Sequence, residues 1–176
     1  MKHFDKSMNI ILLAAQFAAK AHKGQTRKYN GRPYISHPAR VAGRVAVHPL
    51  ATEDMVAAAF LHDVVEDTNA TLFDDLACFA PKIKALIEEL TNPSKGMKAP
   101  RQERKRIDRE HIAGASREAK IIKLLDRIDN LAEMSVAPDD FKKMYADESR
   151  LLAEAIGDAD LDLRDELLAL VEKLDD

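Results

Sequence analysis

The sequence predicts an all-α, single-domain protein, a multi-helix bundle spanning residues 1–176. Aromatic residues make up 5% of the chain with no Trp, while charged residues reach 32%, a balance that favours helices over strands. Apolar residues recur at helical spacing, as in Ile10, Leu13, Phe17 and Ala21. No segment alternates apolar and polar residues as a half-buried strand would, and there is no internal repeat or low-complexity tract.

Ser7 is the expected N-cap of a first helix over about 8–22, with Gly24 as its terminator. Residues 24–36, rich in Gly, Asn and Pro, read as a loop. Pro38 suits the first turn of a second helix over about 38–47 and places His37 at its mouth. Thr52 caps a third helix that carries VAAAFLHDVV. Thr71 with Asp74 resembles a capping box for a short fourth helix, and Pro81 opens a fifth over about 81–91. The stretch NPSKGMKAP, 92–100, breaks the pattern and reads as a loop. A basic helix follows through Arg101, Arg104, Lys105, Arg106 and Arg109. Ser116 caps a long amphipathic helix whose stripe is Ile121, Leu124, Leu125, Ile128 and Leu131. Further helices start at Pro138 and run from Leu161 to Leu174. The bundle is expected to wrap around the third and the long Ser116-capped helix.

At 176 residues the chain can bury a core without staples. A net charge of −3 argues against a general nucleic-acid or membrane-surface binder. The single Cys78 excludes an internal disulfide and fits a reducing compartment; it reads as a small core residue, not a nucleophile. The N-terminal apolar run IILLAAQFAA is preceded by Asp5 and Lys6 and interrupted by Gln16. It therefore reads as the first helix of a cytoplasmic domain and not as a signal peptide. No run approaches the length of a membrane span.

The chemistry concentrates in His-Asp-Val-Val-Glu-Asp, residues 62–67. His62 and Asp63 are adjacent, and Glu66 and Asp67 follow one turn later, about 6 Å along a helix axis. The preceding AAAFL is apolar, so the cluster lies on or near a buried face. Burying such charge costs several kcal/mol (roughly) unless it is paired or metal-bound. Two further segments offer ligand-type residues in core settings: His37 at a helix start and Asp126 in KLLDRID. Two imidazoles and two carboxylates form a mixed N/O set. It suits Mn²⁺, Fe²⁺ or Co²⁺ better than a structural zinc, and it leaves coordination positions open for water or a substrate oxygen. Taken singly, each of these residues is more often a turn or ion-pair residue; together they fit one site. His3 is terminal, His48 precedes Pro49 at a helix end, and His111 lies in a charged segment, so none reads as a ligand. His22 lies nearer the motif loop, in a packing or exposed position.

The order His37, His62-Asp63, Asp126 resembles that of the HD phosphohydrolase superfamily. The strings AHKGQTRKYNGRPYISHPARVA, AAFLHDVVEDT and KIIKLLDRIDNL are more specific, and resemble the hydrolase domain of the RelA/SpoT alarmone enzymes over residues 14 to about 135. The chain is too short for the synthetase and regulatory domains of the long members. It is therefore expected to be a stand-alone small alarmone hydrolase similar to the metazoan SpoT homologue. The resemblance implies Mn²⁺-dependent removal of the 3′-pyrophosphate of ppGpp or pppGpp, within the stringent response. It further implies His37, His62, Asp63 and Asp126 as ligands of one ion, Glu66 and Asp67 as the catalytic pair, and Arg27, Lys28 and Asn130 as substrate contacts. Two features depart from the family pattern. The loop between Arg27 and His37 is one residue longer than in the long bacterial enzymes, and Asp129 stands where many relatives carry His or Tyr beside the nucleotide pocket.

A substrate with several negative charges needs cations, and the chain offers Arg27, Lys28 and Lys123 first, with the 101–109 set second. The competing readings are a phosphohydrolase for NADPH, a dNTP or a nucleoside monophosphate, and a nucleotide sensor without turnover. Nucleic-acid binding through 95–109 is disfavoured by the acidic C-terminal region and the lack of an aromatic stacking set.

Overall fold

The computed structural model describes residues 9–71 and 74–175, and the fold is all-helical as expected. In chain order the helices are α1 (Ile10–Ala21), α2 (Ser36–Ala46), α3 (Glu53–Leu61), α4 (Val64–Asp67), α5 (Pro81–Leu90) and α6 (Arg101–Ala113). They continue with α7 (Arg117–Ala132), α8 (Asp139–Ile156) and α9 (Leu161–Asp175), and short 3₁₀ turns at Met134–Val136 and Gly157–Ala159 flank α8. Among the described residues the only strand-like feature is an isolated antiparallel bridge between Thr26 and Pro33. None of the described helices is long and apolar enough to cross a membrane.

Caps read from sequence recur at two of the helices that frame the site. The Thr52 hydroxyl accepts from the Met55 amide, and the Ser116 hydroxyl from the Ala119 amide, each satisfying a first-turn donor. Ser7 and His3 lie outside the described residues; α1 is capped by Asn9, whose side chain accepts from the Ile11 amide. Gly24 follows α1 with φ of 85°, a conformation that favours glycine. After Thr71 no helix forms among residues 74–80. The Thr71 amide donates to Asp75 instead of Asp74, while the Thr71 hydroxyl accepts from the Asp74 amide.

α3 is apolar on every side: Met55, Val56, Ala57, Ala58, Ala59 and Leu61 are all buried, the pattern of a central helix. It packs against α1, α2, α5 and α7, while α7 packs against α2, α5 and α9. These two helices thus form the axis of the bundle, and the polar side chains they carry inward meet there.

Three expectations are corrected. The second helix begins at Ser36, so His37 stands inside its first turn and is buried. His62–Asp67 does not continue α3: the helix ends at Leu61, and a separate turn, α4, carries Glu66 and Asp67. The His62 imidazole takes the Ala59 carbonyl at 2.8 Å, an acceptor that a continuing helix would offer to the Asp63 amide. Cys78 is exposed and no core residue, because it lies in the turns before α5 and not on an apolar helix face.

Candidate metal centre and active site

Four side chains from three segments converge between α2, the α3–α4 break and α7. His37 Nε2 is 3.5 Å from Asp63 Oδ2 and 3.1 Å from Asp126 Oδ1. His62 Nε2 is 3.2 Å and 3.6 Å from the same two oxygens. The imidazoles are 1% and 2% exposed, and Asp126 is 5% exposed. One ligand atom each from His37, His62 and Asp63 falls within 4.8 Å of the others.

Both Nε2 atoms are buried without a hydrogen-bond partner, which is costly for an imidazole unless the nitrogen has another use. Their Nδ1 atoms are engaged elsewhere, His62 with the Ala59 carbonyl and His37 with Asp129 at 2.6 Å. With Nδ1 protonated, each imidazole in its neutral form presents its Nε2 lone pair toward Asp63 and Asp126. This N/O donor set fits a divalent cation. Burial alone would lower the His62 pKa, but the facing Asp63 and Asp126 carboxylates overcome it and raise it well above the usual imidazole value.

Glu66 and Asp67 flank the cluster in different surroundings. Glu66 is partly buried and accepts from the Asn92 side chain at 2.8 and 2.9 Å. Burial pushes its pKa up, against the opposing pull of Lys123 and Asn92. The Tyr34 hydroxyl lies 2.7 Å from Asp67 Oδ2 and 2.7 Å from Asp63 Oδ2, so it bridges the catalytic-pair candidate and the ligand candidate. Tyr34 in turn stacks on His22, with ring centroids 4.7 Å apart. His22 is buried and Gln25, its 2.8 Å partner, donates to the Asp67 carbonyl. His22 thus braces this loop from behind.

Lys123 lies at the rear of the cluster, with Nζ 2.9 Å from Asp126 Oδ2. Burial disfavours its charge, but Asp126 and Glu66 hold it protonated, above its ordinary range. Asn130 donates to Asp126 Oδ1 at 2.6 Å and accepts from Arg27 at 2.6 Å. Arg27 also donates to Glu133 at 2.8 Å, so its guanidinium is half-neutralised by a partner that the sequence reading did not anticipate.

A cavity of about 280 Å³ opens beside this edge. Arg27, Lys28 and Asn130 line it with four aromatic rings, Tyr34 and the group of Tyr29, Phe141 and Tyr145. Phe141 stacks on Tyr145 at 5.8 Å, and Lys28 Nζ stands 5.1 Å over Tyr29 and 5.4 Å over Phe141. Sequence reasoning missed the Tyr29, Phe141 and Tyr145 group, because Tyr29 and the α8 pair are brought together by the fold alone. Basic residues of α6 are already paired: Arg106 with Glu103 and Glu110 on the same helix, and Arg101 with Glu148 on α8. Lys105 and Arg109 do approach Lys123, around a small cavity of about 40 Å³. His48 pairs with Asp160 at 3.0 Å, and His111 lies on the surface, both remote from the cluster.

Comparison with known proteins agrees with this geometry. The HD domain family matches residues 14–152. Guanosine-3′,5′-bis(diphosphate) 3′-pyrophosphohydrolase MESH1 of Xenopus tropicalis is 41% identical over 128 residues, covering 71% of this chain and 69% of that protein. The Homo sapiens protein of the same name matches to the same extent, and that of Drosophila melanogaster is 39% identical over 69% of this chain and 67% of its own. Among solved structures, a metazoan orthologue of SpoT that hydrolyses ppGpp superposes with a TM-score of 0.84 at 29% identity, over 97% of both chains. A Listeria monocytogenes protein superposes with a TM-score of 0.64 at 26% identity, over 82% of this chain and 99% of that one. With the HD domain model matching residues 14–152 and relatives of this similarity, the chain belongs to the HD domain phosphohydrolase family.

Proposed function

We propose that the chain is a guanosine-3′,5′-bis(diphosphate) 3′-pyrophosphohydrolase, converting ppGpp or pppGpp to GDP or GTP plus pyrophosphate and so lowering alarmone level. The observation that carries this reading is the convergence of His37, His62, Asp63 and Asp126 beside two acids, in a chain 41% identical to enzymes of that name. His37, His62, Asp63 and Asp126 would hold one divalent cation, with Mn²⁺ the proposed ion. Such an ion supplies Lewis acidity toward a phosphoryl oxygen and lowers the pKa of water.

The chain's own residues do the rest. Water attacks the phosphorus bonded to the 3′ oxygen, that P–O bond breaks, and the 3′ oxygen gains a proton. Glu66, partly buried and with its pKa raised, is the proposed acceptor of the attacking water's proton. Asp67, fixed by Tyr34, orients that water. Lys123 supplies a permanent positive charge behind the reacting phosphate, next to both Asp126 and Glu66. Arg27 and Lys28 bind substrate phosphate at the cavity mouth, Asn130 contacts the nucleoside, and the Tyr29–Phe141–Tyr145 rings offer a stacking face for the base.

The test incubates metal-stripped protein with ppGpp, with and without Mn²⁺, and resolves products by anion exchange. The expected result is Mn²⁺-dependent GDP plus pyrophosphate, abolished in His62→Ala. No turnover of ppGpp by Mn²⁺-loaded protein, alongside turnover of NADPH, a dNTP or a nucleoside monophosphate, would overturn the substrate assignment.

A further inference from the structure

We infer that Asp129, clamped by Arg40, is a positioning residue that fixes the tautomer and ring orientation of His37 for its cation, an inference that rests on the metal-centre reading above. Asp126 and Asp129 are one turn apart on α7, and His37 and Arg40 are one turn apart on α2. The two turns face each other. The α7 turn therefore presents a carboxylate to each ring nitrogen: Asp126 Oδ1 at 3.1 Å from Nε2, and Asp129 Oδ2 at 2.6 Å from Nδ1.

Asp129 is 8% exposed and could rotate away if His37 were its only partner. Arg40 prevents this, donating from Nε to Oδ1 at 2.7 Å and from Nη2 to Oδ2 at 2.9 Å. A two-pronged guanidinium contact holds the carboxylate planar, ionised and acceptor-only. His37 Nδ1 must then carry the proton, and its Nε2 lone pair is aimed at Asp63 and Asp126. His62 reaches the same tautomer differently, through the neutral Ala59 carbonyl. A charged partner behind one imidazole raises that ligand's basicity in a way the other lacks.

The clamp does not end at Arg40. Its Nη2 also bonds Glu133, which accepts from Arg27 Nε at 2.8 Å. Arg27 donates to Asn130, and Asn130 to Asp126. His37, Asp129, Arg40, Glu133, Arg27, Asn130 and Asp126 thus close a circuit. Its two guanidinium groups balance Asp129 and Glu133, so the carboxylate behind His37 is accommodated at little net buried charge. The competing account is that Asp129 only ties α2 to α7.

The experiment separates the two with Asp129→Asn, which keeps the shape and removes the charge. Metal-stripped wild type and variant are titrated with Mn²⁺ by calorimetry, and with Co²⁺ by visible absorption. Their metal-free Tm values are compared alongside. The expected result is Mn²⁺ affinity weakened by about 10- to 100-fold, the range for an outer-shell partner of a ligating His, with an altered Co²⁺ spectrum. Wild-type Mn²⁺ affinity in a folded Asp129→Asn protein would overturn the inference, and it would do so whatever the outcome with ppGpp. Should that variant not fold, Arg40→Gln decides. Arg40 is about one-third exposed, and Arg40→Gln leaves the Asp129 carboxylate itself in place. Weakened Mn²⁺ affinity at an unchanged metal-free Tm supports the positioning role, and unchanged affinity refutes it.

Discussion

Asn92 grips the Glu66 carboxylate at both oxygens, with its side-chain nitrogen at 2.8 and 2.9 Å and its backbone amide at 3.3 Å. Asn92 opens the 92–100 loop, so that loop is tied to the proposed general base before any substrate arrives. Burial raises the Glu66 pKa, while Lys123 and these Asn92 donors favour the ionised form and restrain the rise. A base works only when deprotonated, so the acid limb of kcat/KM should lie above the ordinary carboxylate range. Asn92→Ala should move that limb to still higher pH. Glu66→Gln should keep Mn²⁺ bound and lower kcat by about 10²–10⁴-fold. A pH–rate profile unchanged by Asn92→Ala would detach Glu66 from proton transfer.

Tyr34 has one hydroxyl proton and two acceptors, Asp63 and Asp67, each at 2.7 Å. Burial, followed by the fields of Asp63 and Asp67, keeps the phenol protonated and therefore a donor. Tyr34→Phe preserves the stack on His22 but leaves Asp67 free to turn. A hydrogen bond to a charged group contributes about 1.5–3 kcal/mol. The variant should therefore lose about 10- to 100-fold in kcat, with a smaller effect on Mn²⁺ affinity. Steady-state kinetics beside a Mn²⁺ titration would check this; an unchanged kcat would mean that Asp67 needs no such restraint.

Arg27 faces the cavity but is shared between Glu133 and Asn130. Its proposed phosphate contact therefore competes with an internal one. Arg27→Ala should raise KM for ppGpp by about tenfold or more, since a charged hydrogen bond of about 1.5–3 kcal/mol is lost. Glu133→Gln, which releases Arg27 from its counter-charge, should lower KM. If both variants kept the wild-type KM, Arg27 would have no part in binding.

The helices and the convergent cluster were legible for a shared reason: each depends on spacing along one segment or on the side-chain type. Thr52 and Ser116 precede apolar periodic runs and cap them. What sequence could not give depends on how segments meet. The break at His62 arises from a side chain taking a backbone carbonyl, which periodicity does not register. That Asp129 faces His37 is set by how α2 docks on α7. Glu133 on Arg27 spans 106 residues of chain, and the Tyr29–Phe141 contact likewise joins distant segments.

Removal of the cation should reveal itself in the pH dependence of stability. In the metal-free protein the Asp63 and Asp126 carboxylates are balanced by His37, His62 and Lys123. Burial works against charge on His62, but Asp63 and Asp126 prevail and raise its pKa well above 6.5. A raised imidazole contributes stability that is complete below its unfolded value and is lost as pH climbs through the folded one. Asp126 has the opposite sign. Burial would raise it, yet Lys123 and the two imidazoles hold it well below 3.8, so its contribution is present above that value and disappears in acid. The metal-free protein should therefore lose this stability as pH rises from about 6.5 upward. Metal ligation needs neutral imidazoles and ionised carboxylates, so the bound ion contributes more over that same range. The Tm increment on adding Mn²⁺ to EDTA-treated, dialysed protein should widen between about pH 6 and pH 8, and His62→Ala should show little increment at either pH. An increment that stayed constant or shrank with rising pH would mean that these imidazoles do not exchange a proton for the metal.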